Sequence, residues 1–228
     1  MLDERVKFAL DNFLQLEPKN TKKKPYKISF SALSYEMLEL SNDEKDKLIL
    51  NAGTENSLCV TNYDDIPKWG ILQEGGNLSI RKCIDHFVLR KNLDHWELHM
   101  IEMKRTIGSK TWNNVKEKVR ASYFTIKALS TFLGISLRDK DIFIYTAYGF
   151  DKTDLKDKNP EDKGMSLRQK TGEPATDFIT EWKGNHIYVN LVNQNGEEIP
   201  VKFSHTRIEM NEESDGWLKG YFSLATLN

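Results

Sequence analysis

Two cysteines, Cys59 and Cys83, are the only thiols in 228 residues. Two thiols build no disulfide framework and cannot complete a cysteine-rich zinc site. They read as buried free thiols in a reducing cytoplasm. No apolar run approaches the ~20 residues that a helix needs to span a bilayer, so no membrane partner is expected. The opening Met1-Leu2-Asp3-Glu4-Arg5 is charged and lacks the apolar centre of a secretory signal. The phosphate-loop pattern G-x-x-x-x-G-K-[ST] is missing, and neither Gly75-Gly76 nor Gly108-Ser109-Lys110 supplies it. No G-x-S-x-G marks a serine hydrolase. Internal repeats and low-complexity stretches are also missing. Neither sign of charge is in excess: 33 Lys and Arg stand against 34 Asp and Glu. The whole-chain charge therefore says nothing in favour of a nucleic-acid partner.

What is present is a globular composition, with 39% hydrophobic and 29% charged residues. Basic residues concentrate locally. From Lys104 to Lys127 come Lys104, Arg105, Lys110, Lys116, Lys118, Arg120 and Lys127, with Glu117 the one acid. Such a stretch suits a phosphate-binding face, or an ordinary solvated helix face. Lys110, Lys116, Lys118 and Arg120 are the candidate nucleic-acid contacts, because a helix start can hold phosphate with its free N–H groups. Trp112 and Tyr123 could stack on bases or pack against a sheet.

Apolar spacing predicts a helix over 4–16, ended by Glu17-Pro18, and a basic connector over 18–25. Residues 26–50 are ambiguous: Tyr26 to Phe30 could be a short strand, and Tyr35, Met37, Leu38 and Leu40 suit a helix or a buried strand. Short strands and loops are expected over 51–81. Strands are predicted at 82–91, 96–105 and 141–150, with a helix at 111–133 between the last two. That helix carries one stripe, Val115, Val119, Ser122, Ile126, Leu129 and Leu133. Ser109 or Thr111 can cap its start, and Gly134 can end it. A polar stretch over 151–178 reads as a surface loop or an insertion. Strands follow at 186–193 and 198–204, joined through Asn195-Gly196, with two more at 206–210 and 217–226.

The strands at 82–91 and 96–105 form a hairpin if the chain turns through Asn92-Leu93-Asp94-His95. That register pairs Arg90 with Glu97, Leu89 with Leu98, Phe87 with Met100, and Asp85 with Glu102. Lys104 then shares the face of Glu102. Two opposed carboxylates beside an apolar cluster are costly to desolvate. They are relieved by a shared proton, a cation or a bound metal. Mg²⁺ commonly uses only one or two protein carboxylates, with water and phosphate completing its shell. A lysine beside it can orient or activate water for attack on phosphorus. In the same register His86 faces Ile101 and His99 faces Val88, on the opposite face. Two histidines do not make a zinc site, and hydrogen-bonded packing is the expectation for them.

With Cys83-Ile84-Asp85-His86-Phe87 on one strand and Ile101-Glu102-Met103-Lys104 on the next, followed by helix and strand, the sequence resembles the PD-(D/E)XK nuclease superfamily over about residues 80–150. Ile84 stands where the motif has proline. The resemblance implies an α/β fold: a restriction-endonuclease-like core with a central mixed sheet flanked by helices, here with a C-terminal β-rich extension. It implies that Asp85 and Glu102 bind Mg²⁺ or Mn²⁺ and that Lys104 positions or activates the water that cuts a phosphodiester, with DNA as substrate. The family often adds an acid from a preceding helix, for which Glu36, Glu39 and Glu55 are candidates. The expected organisation is a helix and linker over 1–25, a nuclease-like core over 26–150, and a charged loop with β extension over 151–228. That extension could bind substrate, form a homodimer or contact a protein partner. A catalytically inactive nucleic-acid-binding or partner-binding protein on the same fold is the alternative, with Lys104 merely neutralising two acids.

Overall fold

A computed structural model describes residues 4–12, 26–40, 45–65, 82–152, 178–193 and 195–224. The elements, in chain order, are α1 (Glu4–Asn12), β1 (Lys27–Phe30), β2 (Ser34–Leu40), β3 (Lys45–Asn51), β4 (Ser57–Thr61), β5 (His86–Asn92), β6 (His95–Ile107), α2 (Ser109–Phe132), β7 (Ile142–Asp151), α3 (Phe178–Lys183), β8 (His186–Val192), β9 (Glu198–Glu209), β10 (Asn211–Glu212) and β11 (Leu218–Ser223). This is an α/β protein with two mixed sheets. The larger has the strand order β1-β4-β5-β6-β7-β9-β8, the smaller β10-β11-β3-β2. Among the described residues no helix is long and apolar enough to cross a membrane.

The large sheet begins as an antiparallel meander from β4 through β5 to β6. It then changes direction, because β6 and β7 are parallel. Parallel neighbours need a crossover of a dozen or more residues, and α2 supplies it. Strand β6 lies mid-sheet and is covered on both sides, so Trp96 to Met103 is buried without a break. One face of the sheet meets the helices: Phe87, Leu89, Leu98 and Met100 share a core with Trp112, Val115, Val119 and Ile126 of α2. The other face meets the small sheet: Val88, Ile101, Met103 and Ala147 pack with Tyr35, Met37, Leu48 and Leu50.

The ambiguous region from 26 to 50 forms three strands, β1, β2 and β3, with a turn at Ser31 between the first two. In β3 and in the first half of β2 burial alternates residue by residue, as for a strand with one covered face. The C-terminal strands join both sheets. Strand β9 pairs with β7 and β8 with β9, while β11 lies parallel to β3. The predicted break within 198–210 does not occur, and β9 runs through to Glu209. The loop expected over 151–178 and the basic connector over 18–25 fall almost wholly outside the described residues.

The stripe on α2 packs inward as expected, with Val115, Val119, Ser122, Ile126 and Leu133 buried. Its predicted cap is corrected: Gly108 is the N-cap and no side chain caps the helix. Leu133 closes the helix and Gly134 follows at φ 73°, the left-handed setting that glycine takes without cost.

From His86–Ile101 onward the β5–β6 register is the expected one, with one further pair, Asn92 with His95; the strand expected from residue 82 starts only at His86, so Asp85 and Glu102 meet just outside the ladder and not as a strand pair. The turn is therefore two residues, Leu93-Asp94, and not four. Leu93 sits at φ 52° and is exposed. A left-handed leucine costs about 1 kcal/mol relative to glycine, and an exposed side chain recovers little of that by packing. Leu93→Gly is expected to raise stability by about 0.5–1 kcal/mol in denaturant unfolding, against the usual trend for glycine. A loss of stability would show that Leu93 packs on something that offsets its backbone conformation.

Candidate active site

The site is built where β5 begins. Asp85 is held through its own backbone: its N–H donates to Glu102 Oε2 (3.2 Å) and its carbonyl accepts the Tyr63 N–H (2.7 Å). The residues before it are fixed by α2. Ser122 Oγ accepts the Ile84 N–H (2.9 Å), and Cys83 Sγ lies 3.6 Å from Thr125 Oγ1, which also accepts from the Tyr63 hydroxyl (2.8 Å). The Asp85 carboxylate then turns onto β6, where Oδ2 accepts the Met103 N–H (2.8 Å). Each acid is thus held by a main-chain N–H at or beside the other, one step before the β5–β6 ladder begins.

The two remaining carboxylate oxygens face cations. Lys118 Nζ, from α2, is 2.7 Å from Asp85 Oδ1 and 2.7 Å from Glu102 Oε1. Lys104 Nζ is 2.5 Å from Glu102 Oε1, 3.6 Å from Asp85 Oδ2, and donates to the Met103 carbonyl (2.9 Å). Both carboxylates are buried, and the lysine side chains are 28% and 17% exposed, so the ammonium groups form the outer surface of the site. Asp85, Glu102 and Lys104 are brought together as the sequence suggests, and Lys118 joins them.

The four charges do not balance evenly on the two acids. Burial pushes Asp85 upward, but Lys118 and then Lys104 outweigh it and hold the group below its ordinary value. Glu102 moves the other way. Burial first, and then the negative charge of Asp85, raise it to about 7 in spite of the two lysines. Burial lowers Lys104, yet Glu102 and Asp85 overcome this and keep it protonated beyond its usual range. The same holds for Lys118. Acids driven apart by a shared environment are characteristic of sites that handle protons or metals.

The other basic candidates have different positions. Lys116 is spent on Glu181, with Nζ 2.6 Å from Oε1, while Oε2 of that buried glutamate accepts Trp112 Nε1–H (2.7 Å). Trp112 is fully buried against Trp182 and His205 and takes the packing role. Tyr123 donates to Asp139 (2.9 Å). Lys110 is exposed and Arg120 half-buried on α2. Glu36 and Glu39 lie on β2 in the small sheet, where Glu36 pairs with Lys47, and Glu55 is exposed in the β3–β4 loop. None of the three joins Asp85. Among the described residues no group of three or more His, Cys, Asp or Glu could hold a metal.

The Lys118, Ser122 and Tyr63 contributions were missed in the sequence. The signal for Ser122 was there: a hydroxyl inside an apolar stripe needs a partner, and a neighbouring backbone N–H is the common one.

At the far end of the hairpin, on the opposite face, lies a second buried charge cluster of another character. Arg90 Nε and Nη2 donate to Glu97 Oε2 (2.9 and 2.6 Å), Asn92 Nδ2 to Oε1 (2.7 Å), and His99 bridges Glu97 (3.2 Å) and the Tyr145 hydroxyl (2.9 Å). Burial pushes Glu97 up, but the hydrogen bonds from His99, Asn92 and Arg90 bring it down to about 2. This carboxylate is saturated by donors and is structural. Among the described residues His86 accepts the Asn62 N–H through Nδ1 (3.1 Å), so both histidines pack as expected.

Glu97 gives a pH dependence of definite sign. Its folded value lies below the ordinary 4.5, so its contribution is complete above about pH 4.5 and lost as pH falls toward 2. The whole contribution is on the order of 2–3 kcal/mol. Urea midpoints measured from pH 6 to 2.5 should fall steeply in the wild type and less so in Glu97→Gln, which should also be the weaker protein at pH 6. Parallel pH profiles would move the acid sensitivity to other carboxylates.

No family model matches the chain, and no curated protein or solved structure matches it either.

Proposed function

We propose that this protein is a metal-dependent nuclease that hydrolyses phosphodiester bonds, with DNA the substrate to try first. The observation that carries this reading is the convergence of one oxygen from Asp85 and one from Glu102 on a single cation, Lys118 Nζ, at 2.7 Å each. Buried acids that point their free oxygens at one place offer a hard divalent cation its preferred donors. The β4–β5–β6 meander followed by α2 and the parallel strand β7 has the element order of a restriction-endonuclease-like core. The reducing cytoplasm is the compartment we infer, since Cys59 and Cys83 are both free and buried.

In this reading Asp85 and Glu102 hold Mg²⁺ or Mn²⁺, their carboxylates oriented in advance by the Met103 and Asp85 N–H groups. The ion, when bound, supplies charge stabilisation at the phosphate oxygens. Hydrolysis places a water oxygen on phosphorus and expels the alcohol oxygen, which takes up a proton. Lys104 has its ammonium fixed by the Met103 carbonyl. From there it positions or activates the attacking water. Lys110, exposed at the start of α2, remains available to the nucleic-acid backbone.

One observation favours a second reading, a structural tetrad without catalysis: two carboxylates, when both are ionised, and two ammonium groups sum to zero charge. The two readings part in a cleavage assay. Labelled linear, circular and single-stranded DNA, and RNA, are incubated with Mg²⁺, Mn²⁺ or EDTA. Cleavage by the wild type should require the metal and fall about a hundredfold or more in the Glu102→Ala, Lys104→Ala double variant. No cleavage of any substrate, with no Mn²⁺ effect on melting temperature, would leave the structural tetrad.

A further inference from the structure

The two lysines of the site are not equivalent. Lys104 is anchored from the side, by its neighbour's carbonyl and one glutamate oxygen. Lys118 lies between the acids, hydrogen-bonded to Asp85 Oδ1 and ion-paired with Glu102 Oε1. The other oxygen of each acid is held by main chain, Asp85 Oδ2 by Met103 N–H and Glu102 Oε2 by Asp85 N–H. The orientation of both carboxylates therefore does not depend on Lys118. If its ammonium were withdrawn, two oxygens would still converge on the place it leaves. The lysine comes from α2 beside the buried stripe and reaches the site from the helix side, while the acids are mounted on the sheet.

Charge sets a further condition. With both carboxylates ionised and both lysines in place the site is neutral, and a divalent ion added to it would leave two uncompensated positive charges in a largely buried setting. Either Lys118 gives up its place or an anion arrives with the metal. A phosphodiester supplies such an anion, and a flexible four-carbon stem lets the ammonium follow it.

We propose that Lys118 is the resident counter-ion of the metal seat: its ammonium occupies the place between Asp85 Oδ1 and Glu102 Oε1 that the divalent ion takes, and phosphodiester binding favours the exchange. This inference rests on the metal-site reading above. It assigns to Lys118 a place in the site itself in addition to its expected contact with nucleic acid. Competition between two ligands for one place has a thermodynamic signature, since removing one strengthens the other. Coupling of the reverse sign, between metal and substrate, must be reciprocal.

The test is Mn²⁺ binding by calorimetry on the full chain, for the wild type, Lys118→Met, Lys118→Arg and Lys104→Met, each with and without a phosphorothioate duplex that resists cleavage. The wild type should bind Mn²⁺ weakly alone and more tightly with the duplex. Lys118→Met should bind Mn²⁺ about tenfold or more tightly than the wild type without the duplex, and should gain less when the duplex is added. Lys118→Arg, which keeps the charge, should show no such gain, and Lys104→Met a smaller one. If Lys118→Met does not fold without metal, Lys118→Gln takes its place, and its melting temperature should rise more with Mn²⁺ than that of the wild type. Equal or weaker Mn²⁺ binding by a folded Lys118→Met, while the wild type binds the metal and cuts, overturns the counter-ion role and leaves the nuclease reading standing. No Mn²⁺ binding by any variant overturns both.

Discussion

The site depends on a reciprocal clamp between two main-chain N–H groups and two carboxylates. Asp85 donates its N–H to Glu102, and Met103 donates its N–H to Asp85. These bonds occupy the positions that ordinary strand pairing would fill, one step before the β5 ladder begins at His86 and Ile101. A carboxylate that accepts a backbone N–H is fixed in direction as well as in place. Each acid consequently presents one bonded and one outward oxygen. Everything proposed for the site uses the outward pair.

The surrounding layers explain why such a clamp survives. Strand β6 is buried on both faces, so its polar groups have no route to water except through partners within the protein. The chain meets this at its two ends in opposite ways. Glu97 is given four side chains that can donate or pair, and it is pinned as an anion. Glu102 is given a second acid as its neighbour and only half-covered cations, and it is pushed toward the neutral form. Two glutamates on one strand, five residues apart and on opposite faces, thus hold different protonation tendencies. Burial raises both; around Glu97 the donors outweigh it, and around Glu102 the second acid adds to it. The partner set decides it.

Much of this was legible in the sequence because the informative contacts are local. The β5–β6 register follows from apolar pairing across a short turn, and once Leu89 meets Leu98 the register brings Asp85 beside Glu102, where side-chain bonds to main chain take over from strand pairing. The α2 stripe is likewise a matter of spacing within one element. What could not be read is long-range. The small sheet needs β11 to lie parallel to β3, and no sequence period links segments so far apart. Glu181 captures Lys116 from 65 positions away, which no reading of the basic stretch could foresee. Lys118 was legible as one of four candidate phosphate contacts, not as a partner of the acid pair. Its inward turn depends on where α2 crosses the sheet, since a lysine at the margin of an apolar stripe can point to solvent or reach beneath the helix with equal ease.

That geometry bears on why a helix, and not the sheet, carries the mobile charge. Side chains of β5 and β6 are locked by the ladder and by cores on both faces, and an acid mounted there cannot move far without breaking main-chain bonds. A lysine on α2 is held only by its own stem and by the two oxygens it contacts. Its displacement breaks no backbone hydrogen bond and opens no cavity in the stripe of Val115, Val119 and Ser122. Between a rigid pair of anions and a flexible cation, the cation is the component that can exchange. The division of labour between sheet and helix therefore makes the counter-ion, and not the carboxylate frame, the point at which an incoming ligand can act.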